Sequence, residues 1–171
     1  MLVFVTVGTF HFDLLVQTVL SDPVLRALQS KGYTDLVVQC GNSEFELAAA
    51  VAQEQTVHLQ KHGVDIELWK FKPSLEADYR RADLVIGHAG SGTILDVLRL
   101  AKALIVVPNP SLLHNHQVEL ASALAGMGHL KTSAISDLAN TVTAFDAATI
   151  VQFQPFDGSR FRALVDREMG F

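Results

Sequence analysis

Leu2, Val3, Phe4, Val5, Thr6 and Val7 form a near-continuous apolar and β-branched run that stops at Gly8. A run without alternation predicts a strand covered on both faces, as in a parallel sheet flanked by helices. Residues 8–12 follow as a loop and 13–20 as a helix. A second helix restarts with Asp22 as N-cap, Pro23 in the first helical position and Gly32 just past the end. A second strand over 35–39 runs into Cys40, Gly41 and Asn42, and 44–53 has helical composition. Between 56 and 71, Ile66 and Leu68 alternating with Glu67 and Trp69 predict a single third strand. Pro73 and Ser74 then open a short helix that reaches Arg81.

The next stretch is the densest in signal. A strand over 83–86 leads into Gly87, His88, Ala89, Gly90, Ser91 and Gly92, and an amphipathic helix carrying Asp96 follows directly. A fifth strand over 103–107 ends at Pro108, Asn109 and Pro110, with a helix over 115–127, a short strand over 129–131 and a helix over 136–145 capped by Ser136. Residues 152–159 break the pattern, and 160–171 places Phe161, Leu164, Val165 and Met169 at helical spacing. Alternation of this kind specifies a doubly wound α/β domain with a mainly parallel sheet. Such sheets bind ligands beyond the carboxyl ends of their strands, where the candidate loops lie.

Composition narrows the classes. At 171 residues one domain is expected, and 49% hydrophobic against 18% charged residues is apolar enough that some surface is expected to meet a partner. A net charge of −5 argues against nucleic acid, whose binders present a basic surface. The single cysteine, Cys40, excludes an internal disulfide, and the chain opens on a strand rather than a secretory leader, so a reducing cytosolic setting is expected. No apolar run approaches the roughly 20 residues of a membrane span.

The elbow from His88 to Thr93 offers what a phosphate needs: small residues that let backbone approach, unpaired N–H groups and the positive end of a helix, with Ser91 and Thr93 hydroxyls at its start. A tight packing turn is the alternative. No Lys follows the glycines, G-x-G-x-x-G is absent and Gly90 directly precedes Ser91, so the Walker loop, the dinucleotide fingerprint and the hydrolase elbow all fail. Asp96, one turn on, is placed to accept ribose hydroxyls; a solvated helix charge is the alternative. Asn109, Asn115, His116 and Gln117 on the same edge suit neutral sugar hydroxyls or an acetamido group, although Asn115 also reads as an N-cap. His114 and His116 lack a third ligand, so no metal is expected. Gly8 and Thr9 close the first strand at this edge, and His11 is the one side chain there suited to proton shuttling.

VFVTVGT at Val3 to Thr9, FD at Phe12 and Asp13, ADLVIGHAGSGT at Ala82 to Thr93 and NHQVELA at Asn115 to Ala121 together carry a resemblance over almost the whole chain. The sequence resembles the catalytic subunit of the eukaryotic two-subunit UDP-N-acetylglucosamine transferase of the dolichol pathway. That subunit is similar in turn to the donor-binding C-terminal half of the bacterial peptidoglycan N-acetylglucosaminyltransferase. The resemblance implies a Rossmann-like half of a GT-B glycosyltransferase. Residues 1–150 would bind the nucleotide sugar, and the helix with Phe161, Leu164, Val165 and Met169, within 151–171, would dock a membrane-anchored acceptor subunit. It implies inverting transfer of GlcNAc from UDP-GlcNAc to GlcNAc-diphosphodolichol on the cytosolic face of the endoplasmic reticulum, without cofactor or metal. His88, Ala89, Gly90, Ser91, Gly92 and Thr93 match the diphosphate elbow, and Asn115, His116 and Gln117 the donor-sugar motif. Asp96 stands where relatives commonly have Glu, and Phe10 and His11 where they often carry small hydroxyl residues. A non-catalytic UDP-sugar-binding module is the alternative reading.

Overall fold

The computed structural model describes residues 1–109, 116–154 and 157–170, without the side chains of His116, Gln117 and Arg160. The strands are β1 (Leu2–Thr6), β2 (Asp35–Gln39), β3 (Thr56–Lys61), β4 (Val64–Trp69), β5 (Leu84–His88), β6 (Ala103–Val107) and β7 (Lys131–Thr132). The helices are α1 (Asp13–Val19), α2 (Asp22–Ser30), α3 (Ala48–Glu54), α4 (Glu76–Arg81), α5 (Ser91–Arg99), α6 (His116–Gly126), α7 (Leu138–Ala144) and α8 (Ser159–Met169). One seven-stranded sheet has the order β3-β4-β2-β1-β5-β6-β7, parallel except for β3 against β4. The doubly wound, mainly parallel architecture is the one expected from the pattern.

Side-chain alternation along each strand divides the interior into two layers. Val3 and Val5 of β1, with Leu36 and Val38 of β2, face α1, α2 and α7 through Leu15, Val16, Leu25, Leu28, Leu138 and Val142. Phe4 of β1, with Val85, Leu104 and Val106, faces α4, α5 and α6 through Tyr79, Ile94, Val97, Ala121 and Leu124. Because both faces are covered, β1, β5 and β6 are apolar at almost every position, which is why their sequences lack alternation.

Five local expectations are corrected. The single third strand is a hairpin, β3 and β4 joined by His62 (φ 52°) and Gly63 (φ 73°), positive φ at both central positions as tight two-residue turns require. Ser21 rather than Asp22 is the N-cap of α2, which puts Pro23 second. The Asp22 carboxylate instead pairs with Lys61 (2.7 Å) and His62 (3.1 Å) of the hairpin, a contact that holds its pKa down near 2. Ser136 lies inside a 3₁₀ turn, Ile135–Asp137, and Asp137 precedes α7. The last strand is also shifted, to Lys131–Thr132, and residues 44–47 precede α3 rather than joining it.

The chain reverses direction across the sheet between β1 and β5, neighbours in register from Val3↔Leu84 to Thr6↔Gly87. The first crossover builds outward through β2 and the later one through β6, so the loops after β1 and β5 diverge and leave a crevice at this switch point.

Candidate functional site

The loop after β1 is pinned from several sides. Gly8 (φ +68°) donates its N–H to Gln39 Oε1 (3.0 Å), Asn42 Nδ2 donates to the Thr9 carbonyl (3.4 Å), and Asn109 Nδ2 to the His11 carbonyl (3.2 Å). Phe12 N–H donates to Ser43 Oγ (2.9 Å). A Cβ on Gly41 would stand 2.8 Å from the Gly8 carbonyl oxygen, so glycine there admits the close approach of the two loops. Thr9, Phe10 and His11 are nonetheless exposed. The backbone is held and the side chains are presented.

Across the crevice β5 ends at His88, and α5 starts at Ser91 with Gly90 as N-cap. The first intrahelical N–H to find a partner is that of Ile94, on the Gly90 carbonyl (3.0 Å), so the amides of Ser91, Gly92 and Thr93 are the donors of this terminus left without a partner among the described residues. His88 is buried, its ring wedged between Gly8 and Gly90: an added Cβ would lie 2.7 Å from its Cε1 on Gly8 and would collide with its Nε2 on Gly90. Burial pushes the His88 pKa below the usual histidine value, and the Thr6 backbone offsets part of that shift. Its Nδ1 has no hydrogen-bond partner among the described residues. The neutral imidazole therefore acts as a spacer under the elbow.

Gly92 is different in kind. A Cβ there would meet no atom of the described residues within 4 Å, and Gly92 lines two adjoining cavities together with Thr93. One, of about 520 Å³, lies between Gly8, Thr9, Phe10 and the elbow, with Leu120 of α6 on its wall. The other, of about 560 Å³, lies between α4 and α5 and is lined by Ser74, Glu76, Tyr79, Asp96 and Arg99. Asp96 thus stands beside the elbow rather than over it, in the second cavity and one turn along the helix. Burial raises the Tyr79 phenol, with hydrogen bonding toward Thr93 and Thr6 working against that rise.

The structure brings Gly8, Thr9, His88, Ala89, Gly90, Ser91, Gly92, Thr93 and Asp96 around this pair of cavities. It does not bring Asn109 or His11 among their lining residues; Asn109 ties two loops together instead. Asn115 lies outside the described residues. His116 and Gln117 open α6, which reaches the first cavity at Leu120. Cys40 is buried, its thiol raised by desolvation and donating to the Trp69 carbonyl (3.3 Å). Among the described residues no cluster of three or more metal-ligating side chains occurs, and no helix is long and apolar enough to cross a membrane. Phe161, Leu164, Val165 and Met169 of α8 are all exposed, Phe161 at 69% and Met169 at 67%.

Gln39, at the end of β2, carries no motif and sequence reasoning passes over it. Its amide nevertheless makes four hydrogen bonds beneath the crevice.

The profile of the glycosyltransferase family 28 C-terminal domain matches residues 2–162. A Cryptococcus neoformans protein named UDP-N-acetylglucosamine transferase subunit ALG13 is 36% identical over 191 aligned positions, covering 98% of this chain and 96% of that protein. The human protein of the same name is 40% identical over 128 residues, 75% of this chain but 10% of the human one, so the chain spans about a tenth of its length. Among solved structures, the NMR structure of ALG13 superposes with a TM-score of 0.67 at 26% identity, covering 95% and 93% of the two chains. The crystal structure of Acinetobacter baumannii MurG shares the fold, with a TM-score of 0.59 at 20% identity over 98% of this chain and 42% of that one.

Proposed function

Because the chain belongs to the glycosyltransferase family 28 C-terminal domain family, we propose that it is the donor-binding subunit of a UDP-GlcNAc-dependent N-acetylglucosaminyltransferase. The observation that carries this reading is the pair of cavities meeting at Gly92 and Thr93 over the free amides of α5. An elongated nucleoside diphosphate sugar has one anionic centre with a nucleoside on one side and a sugar on the other. Here the anion falls on the helix terminus, the nucleoside toward Asp96 and Tyr79, and the sugar toward Thr9, Phe10 and the start of α6. Relatives named as UDP-N-acetylglucosamine transferase subunits, one matching over 96% of its length, support the donor's identity.

In the reaction we propose, a hydroxyl of GlcNAc-diphosphodolichol attacks the anomeric carbon of the donor with inversion, as the bond from that carbon to the diphosphate oxygen breaks. The negative charge that develops on departing UDP is met by the amides of Ser91, Gly92 and Thr93 and the positive end of α5, charge stabilisation that calls for no metal. The acceptor proton passes to a base that we assign to a membrane-anchored partner, since neither His88, buried and neutral, nor His11, outside the cavities, is placed to take it. The exposed apolar face of α8 would dock that partner and hold the chain at the cytosolic face of the endoplasmic reticulum.

Calorimetric titration of the chain tests the donor half of the proposal. UDP-GlcNAc should bind well above GDP-mannose and without added divalent metal; equal affinity for both nucleotide sugars, or none for either, contradicts it.

A further inference from the structure

Gln39 is 2% exposed and lines neither cavity, yet its amide is fully engaged. Oε1 accepts from Thr6 Oγ1 (2.6 Å) and from the Gly8 N–H (3.0 Å); Nε2 donates to the Gly8 carbonyl (2.9 Å) and to the Lys70 carbonyl (2.8 Å). Reversing the amide would set its oxygen against two carbonyls and its nitrogen against an N–H, so the partners fix a single orientation. The side chain grips Gly8 from both sides, and from Gly8 the chain continues into Thr9 and Phe10 of the first cavity. Its other bond holds Lys70, from which the chain continues into Ser74 and Glu76 of the second. Thr6, the remaining partner, also faces the Tyr79 phenol on the second cavity's wall. The network crosses the ends of β1, β2 and β4, paired at Thr6↔Gln39 and Gln39↔Trp69.

We infer that Gln39 is a positioning residue that sets the two halves of the donor crevice relative to each other, an inference that rests on the donor-site reading above. A diphosphate sugar that spans both cavities needs the Gly8 loop and the Lys70 loop at one fixed separation, and one buried amide holds both. Loss of that amide takes the donor from the Gly8 and Lys70 carbonyls, leaves the Gly8 N–H only its longer bond to Thr6 Oγ1 (3.2 Å), and lets the loops move independently.

The test compares Gln39→Leu, Gln39→Glu and Val38→Ala in the full chain, by calorimetry with UDP-GlcNAc and by amide hydrogen exchange. Val38 is buried in the same strand on the opposite layer and reports on stability alone. Gln39→Leu should weaken UDP-GlcNAc binding by about tenfold or more and speed exchange at both Gly8 and Cys40, whose amide donates to the Trp69 carbonyl (2.9 Å) beside Lys70, while Val38→Ala leaves affinity within about twofold. In Gln39→Glu the introduced carboxyl faces two carbonyls and donates to one of them only while protonated. Its affinity should therefore fall as pH rises from 6 to 9, over which the wild-type affinity stays flat. Wild-type affinity in Gln39→Leu, equal losses in Gln39→Leu and Val38→Ala, or exchange unchanged at either loop overturns the inference. If the wild-type chain binds no nucleotide sugar, the donor-site reading falls by itself, and exchange at Gly8 and Cys40 still decides whether Gln39 couples the loops.

Discussion

Replacing Gly92 with Ala should raise the stability of this protein and lower its affinity for UDP-GlcNAc. Gly92 is the second residue of α5, its φ is not positive, and its added methyl meets no atom of the described residues within 4 Å. Ala in a helix is favoured over Gly by up to about 1 kcal/mol, less in a first turn, so about 0.5 kcal/mol and an unfolding midpoint higher by roughly 1–2 °C are expected. The same methyl projects into the space shared by both cavities, over the free amides. A phosphate oxygen displaced from one such donor loses a charge-assisted hydrogen bond of about 1.5–3 kcal/mol, or roughly 10- to 100-fold in affinity. Gly126, at the far end of α6, is equally uncrowded, so Gly126→Ala serves as a control that changes stability without touching binding. Thermal unfolding and calorimetric titration read both quantities. Unchanged affinity in Gly92→Ala, or a lowered midpoint, would refute the reasoning that the space above Gly92 belongs to the ligand.

Burial holds the His88 pKa below its ordinary 6.5, so the unfolded chain takes up more protons than the folded one below that value. Stability is full above about pH 6.5 and declines as pH falls through it, and the decline in unfolding midpoint between pH 7.5 and 5 should be smaller in His88→Asn. Asp96→Asn should weaken UDP and UDP-GlcNAc alike, by about 3- to 10-fold, in titrations of each, because its cavity is the one proposed to take the nucleoside. Gln117→Ala should raise KM for UDP-GlcNAc in the assembled enzyme while leaving UDP binding to the chain unchanged. Phe161→Ser with Met169→Ser should leave the unfolding midpoint within about a degree, since neither side chain is buried, and should weaken co-purification with the proposed acceptor subunit by tenfold or more.

The sheet core was legible because its strands are buried on both faces: β2 and β6 fall where the apolar runs at 35–39 and 103–107 predict them. The hairpin was not, because β3 lies at the sheet edge with His58, Gln60 and Lys61 exposed, and its turn is His62-Gly63 rather than the Asn-Gly or Asp-Gly that marks such turns. The elbow was legible as a strand, glycines and helix in succession, yet its glycines look alike in sequence and differ in the structure. Gly90 makes room for His88, while Gly92 is crowded by nothing. Asp96 was rightly placed one turn into α5, but only the packing of α4 against β1 shows that this turn faces a separate cavity. Gln39 was invisible, since a polar residue ending a strand looks like ordinary solvation until the loops that converge on it are placed.

The central claim is that this chain supplies the donor half of an active site and no more. The most direct measurement is transfer of labelled GlcNAc from UDP-GlcNAc to GlcNAc-diphosphodolichol by the purified chain, by the membrane-anchored partner proposed for it, and by the two together. The account predicts product only from the combination. Transfer by the chain alone, or donor binding without transfer even when the partner is present, would contradict it.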